Sequence, residues 1–221
     1  MPKNVYSLVL PESIVEAVDR LAGERRTSRS GLVNQILAEY LSCPTPESRN
    51  RDIFGCMEKL FSDLDSLLFQ EQPSDSMIIV RSVLHYRYRP TARYALELYR
   101  EPGPYLGELR VSFRTQSPAL LGLSEDFFRF WDSLEECSVA PLFPGEKIPA
   151  AVGPGRYSRR LLCPGEESGY SCEEIAQAML GYIRTLDSAM KEYFAGQDSG
   201  ADTKRNIEAD YRHRLKSRIL L

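Results

Sequence analysis

Arginine is the residue type in this sequence whose spacing most plainly offers chemistry. Arg81, Arg87 and Arg89 alternate with apolar or aromatic residues, His85 shares their parity, and Arg110 and Arg114 repeat the pattern further on. Guanidinium groups form paired bonds with phosphate oxygens, so these six residues outline a candidate anion face for a phosphorylated effector or a nucleic-acid backbone. The same alternation suits a solvated sheet face with cross-strand ion pairs to Glu97 and Glu108, and both readings stay open.

Other chemistries find little support. The five cysteines, Cys43, Cys56, Cys137, Cys163 and Cys172, include no Cys-x-x-Cys pair, and the histidines are His85 and His213 alone. A disulfide framework or zinc site is not expected, and general-base schemes lack their usual residue. Gly153-Pro154-Gly155 is not a phosphate-cradling loop. The expectation is no catalytic residue, no metal and no cofactor, hence not an enzyme.

The elements that must position these residues follow from periodicity. From Met77 the period is two, with Ile78, Val80, Leu84, Tyr86 and Tyr88 on one face of a long strand. Residues 93–100 and 106–115 repeat it, placing Tyr94, Leu96, Leu98, Leu109, Val111 and Phe113 inward. That is an antiparallel meander of three strands, and a brief strand near 157–162 makes a fourth. Ahead of it, Thr45 caps a helix with Pro46 in its first turn. Its apolar stripe, running from Ile53 through Phe61 and Leu64 to Leu68, predicts an end near Gln72 and Pro73. After the sheet, Ser124 is read as capping a helix with Phe127, Phe128 and Trp131, followed by an irregular Pro/Gly-rich stretch. Ser171 and Glu174 form a capping box for a helix carrying Ile175, Met179, Ile183 and Met190. Residues 203–221, with six basic and two acidic side chains, read as a basic terminal helix.

The first forty residues are organised differently. Val5 to Leu10 alternate as a short strand, Pro11 opens a helix with Ile14, Val15, Val18 and Leu21, and Ser28 caps a second with Leu32, Val33, Ile36, Leu37 and Tyr40. A lone strand and two short helices cannot cover their own apolar stripes, but two copies can, with strands paired about a two-fold axis. The segments Val5-Tyr6-Ser7-Leu8-Val9-Leu10-Pro11-Glu12, Ala17-Val18-Asp19-Arg20-Leu21-Ala22 and Thr27-Ser28-Arg29-Ser30-Gly31-Leu32-Val33 resemble the ribbon-helix-helix family of bacterial and phage repressors.

That resemblance implies a homodimer whose two-stranded ribbon lies in the major groove of double-stranded DNA, with Lys3, Val5, Ser7 and Val9 facing bases. It further implies that Ser28, Arg29 and Ser30, at the start of the second helix, hold a phosphate. Val5 and Val9 can touch a thymine methyl but make no bidentate bond, and five basic and five acidic side chains cancel over residues 1–42.

The sequence therefore predicts an α+β chain with a ribbon-helix-helix module over 1–43. An α+β domain over 44–221 follows, with an antiparallel sheet of three to four strands packed by helices. The expected role is a cytoplasmic, homodimeric DNA-binding transcriptional regulator and repressor, associating further in some assemblies. Its second domain is read as binding a small anionic effector or a protein, or as supporting assembly. An alternative is a protein-interaction adaptor or antitoxin-like inhibitor that uses the first module only to dimerise. No membrane partner is expected, because no apolar run reaches the ~20 residues of a span.

Overall fold

A computed structural model describes residues 7–41, 45–61, 67–84, 89–100, 103–139, 141, 148–162, 169–196 and 200–215. The chain is mixed helix and antiparallel sheet, and divides into two compact units, Met1–Arg49 and Asn50–Leu221. Among the described residues, no helix is long and apolar enough to cross a membrane.

In the first unit, α1 (Glu12–Glu24) and α2 (Arg29–Tyr40) are joined by a tight reversal. Pro11 precedes α1, and Ile14 N–H and Val15 N–H both donate to its carbonyl. At the other end, Arg26 N–H donates to Gly23 O at 3.2 Å and Thr27 N–H to Ala22 O at 3.0 Å, the paired bonds of a Schellman stop. The residue that makes this turn is Arg26, at φ 51°. An L side chain is strained in that left-handed region, by roughly 1–2 kcal/mol, whereas glycine is not. Arg26→Gly is therefore expected to stabilise the first unit by about 1 kcal/mol. A thermal midpoint that falls would show the Arg26 side chain to be holding something the backbone argument omits.

α3 (Pro46–Phe61) opens with the expected Thr45 cap. Thr45 Oγ1 accepts from Ser48 N–H at 3.0 Å, and Ser48 Oγ accepts from Thr45 N–H at 2.9 Å. Ile53, Phe54, Met57 and Phe61 are buried as predicted, but the chain from Leu68 to Ser74 is strand, so the helix does not run on to Gln72. Leu64 lies outside the described residues. Leu67 is buried ahead of β1 (Leu68–Ser74), which pairs antiparallel with β2 (Met77–Val83). Pro73 does not block this strand, because β1 is the sheet edge and its outer N–H groups need no ladder partner.

β3 (Thr91–Leu98) and β4 (Tyr105–Phe113) continue the sheet. β5 (Ala150–Gly153) and β6 (Arg156–Leu162) form a hairpin that joins it through β6. The order is β1-β2-β3-β4-β6-β5, all antiparallel, so among the described residues the sheet has six strands where three to four were expected. The two additions are the edges. β1 was hidden inside an apparent helical stripe, and β5 lay in the stretch read as irregular. The meander's inward residues Ile78, Val80, Leu84, Tyr94, Leu96, Leu98, Leu109, Val111 and Phe113 are all buried, while Tyr86 and Tyr88 lie outside the described residues.

Helices cover that inward face. α4 (Pro118–Ser138) begins at Ser117, whose Oγ accepts from Leu120 N–H, with Pro118 at the first helical position. Ser124 is thus not the cap. It lies inside the helix, fully buried, and donates to Leu121 O at 2.8 Å. α5 (Cys172–Ala195) starts with the predicted Ser171–Glu174 capping box and buries Ile175, Met179, Ile183, Leu186 and Met190. α6 (Gly200–Leu215) is helical as read, anchored by buried Ile207 and Tyr211; residues 216–221 lie outside the described residues. Phe128 of α4 stacks on Tyr157 of β6, with centroids 5.2 Å apart and planes 11° apart, tying helix layer to sheet.

Candidate nucleic-acid interface and anion face

Of the residues the sequence assigned to base reading, Lys3 and Val5 lie outside the described residues, and Ser7 and Val9 are exposed. Ser7–Pro11 is irregular backbone in the single chain. The first unit also leaves large apolar side chains uncovered. Leu8, Val9, Leu10, Ile14, Ile36, Leu37, Tyr40 and Leu41 are all exposed, Tyr40 at 86% and Leu41 at 64%. Ala22 and Leu32 are the buried hydrophobic residues of these two helices.

At the start of α2, Ser28 Oγ accepts from Gly31 N–H at 3.1 Å, satisfying one of the helix's free donors. Gly31 permits this closeness, since a Cβ there would press on Thr27 Oγ1 and Ser28 Oγ. Ser30 is exposed. Arg29 does not reach outward freely: its Nε donates to Asp19 Oδ1 at 2.6 Å and its Nη2 to Asp19 Oδ2, a bidentate pair that clips α2 to α1. The hydrogen bond from Arg29 is the main reason the Asp19 carboxyl is held below its ordinary pKa. Of the three residues assigned to phosphate, the Ser28–Ser30 backbone keeps that geometry and the Arg29 side chain is already engaged.

The second candidate surface is the outward face of the sheet. Register settles its membership: Arg81 is opposite Arg93, Arg93 opposite Ser112, and Ser112 opposite Arg156. One row further along, Arg110 lies between Ala95 and Ser158. Beyond that come Glu97, Glu108 and Arg160. Arg110 Nε donates to Glu108 Oε2 at 2.8 Å and its Nη2 to Glu97, the ion pairs anticipated for a solvated face. Hydrogen bonding to Glu108 is the first cause of its raised pKa. Arg160 sits over the Tyr105 ring at 5.0 Å. Arg81 is exposed on the face, whereas Arg89 and Arg114 are exposed but lie beyond the strand ends, Arg89 at φ 45°. His85 and Arg87 lie outside the described residues. Sequence reasoning missed Arg93 and Arg156; the parity that selected Arg81 and Arg110 would have found both once β6 was joined to β4.

A third group is buried. Arg159 of β6 and Glu135 of α4 form an ion pair at 2.8 Å, with side chains 1% and 3% exposed. Tyr157 and Tyr211 each donate a hydroxyl to this carboxylate at 3.1 Å. Trp131 Nε1 donates to the Tyr182 hydroxyl oxygen at 3.2 Å, and the guanidinium lies 4.7 Å from the Tyr182 ring centre. Arg159 Nε is within ion-pair distance but out of line for a hydrogen bond, and Nη1 has no acceptor among the described residues. Burial is the largest influence on Arg159 and works against its charge, but Glu135 together with Tyr182, Tyr157 and Tyr211 outweighs it and holds the guanidinium pKa above its ordinary value. Burial pushes the pKa values of Tyr157, Tyr182 and Tyr211 well above the usual tyrosine range, and the Glu135 charge adds to it. This cluster joins α4, α5, α6 and β6 and is enclosed, so it reads as a fastening. Among the described residues no group of three or more His, Cys, Asp or Glu side chains is placed to hold a metal.

Comparison of the chain with protein-family models, with curated proteins and with solved structures gives no match in any of the three.

Proposed function

We propose that the protein is a homodimeric, sequence-specific DNA-binding transcriptional regulator whose first unit assembles as a ribbon-helix-helix module. The observation that carries this reading is the uncovered apolar surface of the first unit. A unit of about fifty residues with so little buried apolar surface is not expected to hold its fold alone. Eight large exposed hydrophobic residues, spread over the opening segment, α1 and α2, supply what a second copy would bury. The opening segments of two copies then pair as a ribbon, and the capped start of α2 offers backbone N–H groups to a phosphate.

Leu37→Glu tests the assembly. Removing an apolar contact and placing a charge in the shared core is expected to weaken the dimer by about 3 kcal/mol, or roughly 100-fold. Mass by light scattering should fall from dimer toward monomer, and binding to a duplex from the protein's own upstream region should fall with it. A Leu37→Glu protein that stays dimeric and binds as before would remove the basis of the proposal.

The Arg29–Asp19 pair and the balanced charge of residues 1–42 favour the second reading, a protein-interaction adaptor that only dimerises through this unit. Purification from the native host separates the two. A stoichiometric protein partner without nucleic acid supports the adaptor.

A further inference from the structure

We propose that Arg81, Arg93 and Arg156, aligned across β2, β3 and β6 on the open face of the sheet, form a second contact for the phosphate backbone of duplex DNA. The inference rests on the DNA-binding reading above and extends it to the second unit.

Three observations carry it. First, Arg81 and Arg93 are direct cross-strand partners, an arrangement that costs stability because like charges face each other. Second, the same face shows how the sheet neutralises an arginine when it does so: Arg110 has both Glu97 and Glu108. Among the described residues, Arg81, Arg93 and Arg156 have no carboxylate at ion-pair distance, and all three are exposed. Third, the first unit has no excess of positive charge over residues 1–42, and its Arg29 is paired with Asp19. A DNA-binding chain needs cations to displace the counterions of the duplex, so they must come from elsewhere in the chain.

The geometry favours an extended polyanion. Strands about 4.8 Å apart give the row a span of roughly 14 Å. A duplex carries about eight phosphate charges over that length. Ser112 stands between Arg93 and Arg156 as a neutral hydroxyl donor. The row holds no aromatic ring on which a base could stack, which favours the duplex backbone over a single strand.

The test uses the full chain and a labelled duplex from its own upstream region, with affinity followed from about 50 to 200 mM salt. Replacing the three arginines by serine is expected to lower the slope of log affinity against log salt by about 2.7 for each row that contacts the duplex, so with one row of the dimer engaged wild type loses about 40-fold more affinity than the variant over that range. The arginine-to-lysine triple keeps the charges and should keep the slope, while Arg110→Ser, on the same face but already paired, should leave it nearly unchanged. The serine triple should melt no lower than wild type, because the Arg81–Arg93 opposition is relieved.

A wild-type slope in the serine triple overturns the assignment and leaves the dimeric regulator standing. A wild type that ignores the duplex at the lowest salt overturns both. If a polyglutamate of matched charge binds with equal affinity and equal slope, the row is a surface for acidic polypeptide and the DNA assignment is overturned.

Discussion

Arg159→Met is expected to cost the second unit about 3–5 kcal/mol, because it leaves the Glu135 carboxylate buried without its counter-charge. Glu135 is 2% exposed and cannot turn to water, and the tyrosine hydroxyls around it donate hydrogen bonds but no formal charge. Glu135→Gln combined with Arg159→Met should return more than half of that loss, since the stranded charge is gone while the amide oxygen still accepts from one of the two tyrosine hydroxyls and its NH2 can donate to the other. Trp131, the only tryptophan of the chain, is fully buried and lies 4.9 Å from Tyr211 in an edge-to-face pair, so its fluorescence reports the region directly. Denaturant midpoints of wild type, both single variants and the double variant complete the cycle. Equal losses in Arg159→Met and in the double variant would mean that packing, and not the lone charge, sets the cost.

Alkaline unfolding is expected to be abrupt. Burial, with the nearby charge of Glu135 or Asp187 added, raises the pKa values of Tyr94, Tyr157, Tyr182 and Tyr211. Above the ordinary tyrosine pKa of about 10, the unfolded chain releases these protons and the folded chain keeps them, so stability falls as pH rises. Below that value the contribution is fully present. Each such tyrosine contributes a slope of about 1.4 kcal/mol per pH unit, and four together about 5. Against a typical total of roughly 5–15 kcal/mol, the second unit should unfold within about three pH units above 10. Tyrosinate absorbance and loss of helical signal should then rise together. Tyr211→Phe should make the stability curve shallower by about one proton. The full tyrosinate absorbance of all twelve tyrosines reached near the ordinary value with the helices intact would refute the account.

How much of this was readable beforehand depends on whether the relevant signal was local. The capping box at Ser171 and Glu174 needs only four residues, and it is present with both hydrogen bonds. The inward faces of β2, β3 and β4 need only a period of two, and they too are as read. The ion pairing of Arg110 with Glu97 and Glu108 followed from the same alternation. β1 was lost because Leu64, Leu67 and Leu68 fit helical spacing as well as a strand, and short apolar runs do not decide between the two. β5 is hard to read because Pro149, Pro154 and Gly155 flank a strand of four residues that itself ends in Gly153, and they dominate any local reading. Ser124 reads as a cap because it precedes the aromatic run, whereas the helix starts earlier, at Ser117 with Pro118 in its first turn.

The candidate surfaces show the same division. Arg81 and Arg110 were found on one strand each, but their fates differ through residues on other strands: Arg110 meets two glutamates, and Arg81 faces Arg93. Arg159 shares parity with the buried Tyr157 and Leu161, so its inward direction was written in the sequence. Its partner was not, since Glu135 lies on a different element and nothing local links the two.

The hydroxyl that Tyr211 gives to Glu135 spans 76 residues of chain. During synthesis, Glu135 and Arg159 therefore leave the ribosome long before the side chain that closes over them exists. A nascent copy interrupted before α6 keeps an ionised pair beneath an unsealed aromatic wall, open to water and to quality-control proteases. Packing of α6 therefore decides whether the Glu135–Arg159 pair is closed off from water.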